Sequence, residues 1–156
     1  MKIYNNLKII LASKSPRRQM LLKQIGFDFK IIPSNVDEDL SIQLKPKEFV
    51  KYYAKKKARS VSIKNSSSLV IGADTIVSIK NRILGKPSNK KESFDMLKSL
   101  SGKTHTVFTG VSIQKKDEKI DLTFFDSTNV TFKNLLDEEI GYYIKKYKPF
   151  DKAGSY

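Results

Sequence analysis

Apolar residues fall into two kinds of segment along this chain: short continuous or alternating runs, and longer stretches with helical spacing. Residues 7–12 read as a buried strand. A helix at about 15–25 follows, with Met20, Leu21 and Ile25 directed inward and Gly26 ending it. The run FDFKII at 27–32 predicts the next strand, and the acidic loop PSNVDEDLS leads to a helix from Pro46 to about Ile63. SSSLVIGADTIVSI predicts a fully buried strand interrupted at Gly72, then a continuation that turns back near Lys80 and Asn81. A third helix opens at Ser88 or Asn89, buries Phe94, Leu97 and Leu100, and stops at Gly102. Residues 104–114 and 120–133 alternate as two strands joined by the charged turn KKDEK, and a last helix covers about 137–147. Strands mixed with helices in this way give an α/β class with a mixed sheet.

The first helix start carries unexpected charge. If Ser15 caps it and Pro16 fills its first position, Arg17 and Arg18 become the second and third helical residues. A helix start is partly positive, so a cation there costs roughly 0.3–1 kcal/mol at low salt. Either the pair lies in a solvated basic turn, or a bound anion gathers the backbone N–H groups, hydroxyls and guanidinium forks.

Two further side chains break the pattern around them. On the second helix Val50, Tyr53, Ala54, Ala58 and Val61 form one apolar stripe at about 100° per residue, and Lys57 falls inside it. Its ammonium either snorkels out along its stem or ends in a cleft, where it needs an anion. Asp74 interrupts LVIGADTIV, otherwise the pattern of a strand buried on both faces. Its carboxylate is satisfied by its own turn, paired, metal-bound or facing a cleft. Glu38, between Asp37 and Asp39, brings more carboxylates from what is otherwise a solvated loop, and Lys86 follows a glycine in ILGKP. His105 is the only histidine and reads as a strand residue rather than a catalyst.

Composition narrows the chemistry. A chain of 156 residues fits one domain with a real core, divisible into two lobes. The net charge of +14 points to an anionic partner, although arginine stands only at 17, 18, 59 and 82 and the other 26 cations are lysines, so part of that charge is compositional bias. Without cysteine there are no disulfides, thiolate metal sites or cysteine nucleophiles. The N-terminal run lacks a leader's apolar region and cleavage site, and no segment approaches membrane-spanning length, so a cytoplasmic location is expected. There is no Walker A loop, GxGxxG or HExxH. What remains is a set of cations (Arg17, Arg18, Lys57, Lys86) and carboxylates (Glu38, Asp74) on separate elements. Such a set suits polyphosphate bound with Mg²⁺ or Mn²⁺.

The segments LASKSPRR, VDED, AKKKA, VIGADTIV, ILGKP, LSGKTHTVFTGV and DKAGSY occur in the order seen in the Maf family of nucleotide pyrophosphatases, and the resemblance spans Leu11 to Tyr156. It implies a Maf/ITPase-like fold, a twisted mixed sheet flanked by helices with a cleft between two lobes. It also implies a metal-dependent enzyme that converts nucleoside triphosphates to the monophosphate and pyrophosphate. GADT and DKAGSY resemble the branch acting on dTTP and UTP rather than the one acting on 7-methyl-GTP. By the same resemblance Ser13, Arg17 and Arg18 hold phosphates, with Arg17 also linked to substrate choice. Glu38 and Lys57 match the family's acidic and lysine positions, Asp74 its proton acceptor, Thr75 a specificity position and Lys86 the lysine of GKP; Glu38 and Asp74 are the expected metal ligands. The family suggests a homodimer. Its members continue past DKAGSY with a glycine- and glutamine-containing stretch and closing strands, so residues 1–156 are expected to form a single Maf-like domain lacking that segment.

The competing expectation is a basic nucleic-acid-binding or septum and cell-division regulatory protein without turnover. The cations near the motifs are not interleaved with aromatic stacking platforms, and a nucleic-acid groove avoids carboxylates, which argues against nucleic acid as the partner.

Overall fold

The computed structural model describes residues 7–156. The strands are β1 (Ile9–Leu11), β2 (Phe29–Ile31), β3 (Leu69–Ile79), β4 (Arg82–Leu84), β5 (Thr104–Lys115) and β6 (Ile120–Thr131). The helices are α1 (Pro16–Gln24), α2 (Pro46–Ser62), α3 (Lys90–Leu100) and α4 (Asp137–Tyr147), and a 3₁₀ turn lies at Ala153–Ser155. One mixed six-stranded sheet has the order β2-β1-β3-β5-β6, with β4 paired to β3. β1 runs parallel to both neighbours, Ile9 facing Phe29 on one side and Leu69 on the other. The chain divides into two compact units. The first comprises Met1–Asp39, Lys47–Asp74 and Gly110–Phe125, and the second Leu40–Pro46, Thr75–Thr109 and Asp126–Tyr156.

In the first unit the apolar stripe of α2 packs as its spacing predicts. Ala58 and Val61 join Ile10, Ala12 and Val70 in one buried cluster, with Ile32 against its edge. The strand reading at Gly72 needs correction: β3 runs unbroken from Leu69 to Ile79, and Gly72 lies inside it. The glycine serves a close approach. A Cβ on Gly72 would stand 2.5 Å from the Ala58 nitrogen and 2.6 Å from the Ala54 carbonyl oxygen, so the strand backbone lies directly against the backbone of α2.

The expectation for α1 also fails in part. Pro16 begins it and Ser15 occupies the cap position, but Met20, Leu21 and Ile25 are exposed, at 53%, 57% and 68%, and no α1 residue is fully buried. Arg18 and Leu22, one turn apart, form its half-buried face together with Gln19. That face carries the Arg18 hydrogen bonds described below, and Met20 lies on the exposed side.

The second unit is built around a hairpin and two helices. β3 and β4 pair antiparallel across Lys80 and Asn81, both left-handed with φ of 49° and 63°, as a two-residue primed hairpin turn requires. Val77, Leu84 and Leu100 form one buried cluster, with Tyr156 packed against it. Leu97, Ile140 and Ile144 form a second. Asn89 caps α3 by accepting from the Glu92 N–H. His105 is buried in β5, as expected of a strand residue, with Nε2 2.6 Å from the Tyr156 hydroxyl, whose pKa burial pushes up to about 12.

Two glycine substitutions are expected to act in opposite directions. Gly72→Ala drives a methyl group into helix backbone and should lower stability by about 1–3 kcal/mol. Gly141→Ala, inside α4 with nothing within 4 Å of the added methyl, should raise it by about 0.5–1 kcal/mol. Urea unfolding midpoints of the two variants check both signs.

Candidate active site

The carboxyl end of β1 opens the site. The ladder of Ile9, Ile10 and Leu11 on β3 extends to Ala12, whose N–H donates to the Ile71 carbonyl at 2.8 Å, and the chain then leaves the sheet at Ser13. Carboxyl ends of parallel strands are where open α/β sheets bind ligands. The Ser13 hydroxyl accepts from the Ser15 N–H and from Arg18 Nη1, both at 3.2 Å, so it ties together the turn and the helix start. Ser15 itself makes no side-chain cap.

Arg18 reaches back to the sheet. Its Nη1 donates to the Ala73 carbonyl at 2.8 Å, immediately before Asp74 on β3. Burial pulls the guanidinium pKa down, while Asp74 and Glu38 push it up and Arg17 pulls it down again; guanidinium stays charged throughout. The two arginines therefore differ in setting. Arg18 is half-buried and hydrogen-bonded to the frame, whereas Arg17 is exposed.

Lys57 resolves the alternatives left open by the sequence. It does not snorkel: its Nζ lies 2.7 Å from Asp74 Oδ1 and 2.5 Å from Glu38 Oε1, with the lysine side chain 10% exposed and the aspartate 1%. Helix periodicity forces this, because Lys57 occupies the same stripe as Tyr53, Ala54 and Ala58, and that stripe faces β3. Asp74 is thus paired rather than satisfied by its own turn. Its second oxygen, Oδ2, is buried and has no hydrogen-bond partner. Burial raises the Asp74 pKa first of all; Lys57 opposes this and the nearby Glu38 carboxylate adds to it.

Thr75 follows Asp74 along β3 and belongs to the second unit, where its hydroxyl lies 3.1 Å from that of Thr109. Lys86 is exposed in the segment after β4, in the same unit. The structure therefore brings together Ser13, Arg18, Glu38, Lys57 and Asp74, all in the first unit.

Two contributors were not singled out from the sequence. One is the Ala73 carbonyl, a backbone acceptor with no side-chain signature. The other is Tyr53, whose hydroxyl accepts from the Asp39 N–H at 2.7 Å; its spacing marks only a core position.

The residues present fit a divalent cation. Among the described residues no group of three or more His, Cys, Asp or Glu side chains gathers as a self-sufficient metal cage. Magnesium, however, is commonly held by one or two carboxylates together with substrate phosphates. Glu38 and Asp74 supply that pair, and the unpartnered Asp74 Oδ2 is an oxygen available for coordination.

Comparison with known proteins gives the geometry its family. The family described as Maf-like protein matches residues 8–156. A dTTP/UTP pyrophosphatase of Bacillus anthracis is 52% identical over 149 residues, covering 96% of this chain and 77% of the relative. One from Thermosipho africanus is 53% identical over 150 residues, covering 96% and 75%. Among solved structures the Ham1 protein of Staphylococcus aureus shares the fold, with a TM-score of 0.51 and 13% identity over 78% of this chain and 70% of that one. With the matched region reaching from the residue before β1 to Tyr156, and the sequence motifs lying on the elements that carry the Lys57 and Arg18 contacts, the chain belongs to the Maf family.

Proposed function

We propose that this protein hydrolyses dTTP and UTP to the monophosphate and pyrophosphate, with Mg²⁺ or Mn²⁺ as the required cation. The observation that carries the reading is the buried, unpartnered oxygen of Asp74 beside Lys57 and Glu38, in a chain 52% identical to a protein of that activity. Residues 1–156, about three quarters of each relative's length, contribute one domain that carries the site.

The chemistry follows from the side chains. Breaking the α–β anhydride of a nucleoside triphosphate requires an attacking water to lose a proton while pyrophosphate leaves with the bonding electrons. Asp74 accepts that proton: its raised pKa makes it a stronger base than an exposed carboxylate, and it stands on a rigid strand. Lys57 holds the two carboxylates together and opposes the rise that burial causes in the Asp74 pKa. A cation held by Glu38 and Asp74 would supply charge neutralisation at the phosphates and acidify bound water. Ser13, Arg17 and Arg18 bind phosphate oxygens from the start of α1, which gives the adverse charge at the helix end its compensation. Lys86 adds a further phosphate contact. Thr75, held by Thr109, contributes to base choice.

With dTTP or UTP and Mg²⁺, chromatography is expected to find the nucleoside monophosphate and pyrophosphate in equal amounts. Orthophosphate as the sole product, or full turnover in EDTA, overturns the reading.

Asp74→Asn is expected to lower kcat by at least roughly 10²–10⁴, as loss of one acid–base group does. Its thermal midpoint should hold or rise, because burial outweighs pairing in raising the Asp74 pKa. The linkage sign agrees: a carboxyl whose folded pKa is raised favours the folded state while protonated, and that contribution is lost as pH rises through the folded value. Activity should run the other way, increasing with pH through the same value. Parallel pH profiles of turnover and melting check the opposition, and near-normal turnover of the variant excludes Asp74 from the reaction.

A further inference from the structure

Glu38 lies in a stretch, residues 32–39, with no regular secondary structure, yet its carboxylate meets a buried ammonium on a helix. Tyr53 connects the two. Its ring is 1% exposed, packed 4.7 Å from Phe49 and 5.1 Å from Tyr52 between ring centroids. Its hydroxyl accepts from the Asp39 N–H at 2.7 Å and lies 3.4 Å from the Asp39 carbonyl oxygen, which it faces as a donor. One hydroxyl thus engages both backbone groups of the residue next to Glu38. Tyr53 is also one helical turn before Lys57 on the same face of α2, so the helix that presents the ammonium presents the anchor for its acidic partner.

We propose that Tyr53 is a positioning residue: its hydroxyl fixes the backbone at Asp39 and thereby holds the Glu38 carboxylate at Lys57 and at the cation site. The core position needs only an apolar side chain, which a phenylalanine supplies equally well. The hydroxyl adds a register, because a loop slipped by one residue at Tyr53 brings Asp37 or Asp39 in place of Glu38, each a methylene shorter. The inference rests on the proposed activity for its kinetic consequence and on geometry alone for its structural one.

Tyr53→Phe keeps the ring and removes the hydroxyl, and two measurements test it. In hydrogen exchange resolved by NMR, the Asp39 amide should exchange on the order of tenfold faster in the variant, matching loss of one hydrogen bond, while the amides inside α2 keep their protection. In turnover of dTTP or UTP, the Mg²⁺ concentration for half-maximal rate should rise severalfold, and saturating Mg²⁺ should restore most of kcat; a side chain serving only the core would leave the metal requirement unchanged. Unchanged exchange at Asp39, or an unchanged Mg²⁺ requirement, overturns the inference. Should wild-type protein turn over neither nucleotide, the proposed activity fails. A faster Asp39 exchange in the variant then still supports the anchor, and an unchanged one overturns it.

Discussion

The ammonium of Lys57, held between Asp74 and Glu38, is the interaction around which the first unit is organised. A carboxylate inside a buried strand and a lysine inside an apolar helix stripe are each costly alone, because removing a charge from water is opposed by several kcal/mol. Together they offset one another: removing Lys57 strands both carboxylates, whereas removing the Asp74 charge leaves Glu38 on the ammonium. The balance is incomplete: one Asp74 oxygen has no donor, and burial still dominates that residue's titration. The site is therefore held short of full satisfaction, a condition suited to a group that must take up a proton or a cation.

Arg18 is a second response to the same constraint. A guanidinium at the third position of a helix opposes the helix dipole, and one end of it is spent on the Ala73 carbonyl and the Ser13 hydroxyl. Those bonds fix the cation close to Asp74 and Glu38, whose charges favour its ionised form. Helix α1 itself buries little, and its tie to the sheet is this polar anchor rather than an apolar stripe.

Much of this was legible in the chain. Lys57 and Asp74 stood out because each violated a strong local pattern, and two helices, α2 at Pro46–Ser62 and α4 at Asp137–Tyr147, were read at nearly their observed limits. The motifs placed the family correctly before any geometry. Other features had no local signal. Gly72 read as a break because a glycine in a strand marks either a kink or a close approach, and only the position of α2 distinguishes them. Met20, Leu21 and Ile25 read as buried because apolar content says nothing of which side a nine-residue helix turns to the sheet. Tyr53 was read correctly as core, yet a stripe position specifies burial of the ring and is silent about the hydroxyl.

The closeness of α2 to the sheet carries a consequence for how this sequence can change. Gly72 admits the backbone at Ala54 and Ala58, and Gly110 on β5 likewise admits the backbone at Val50 and Lys51, so the helix is seated against two strands where side chains are nearly absent. Such a seat acts as a key. A single-residue insertion anywhere between Val50 and Lys57 turns everything after it by about 100°, withdrawing Lys57 from its carboxylates and presenting a bulkier side chain to one of the glycines. On the outer face, replacing Lys55, paired with Asp121, or Lys56, over the Tyr52 ring, costs one exposed contact, while a change in the length of this helical segment undoes the whole seat.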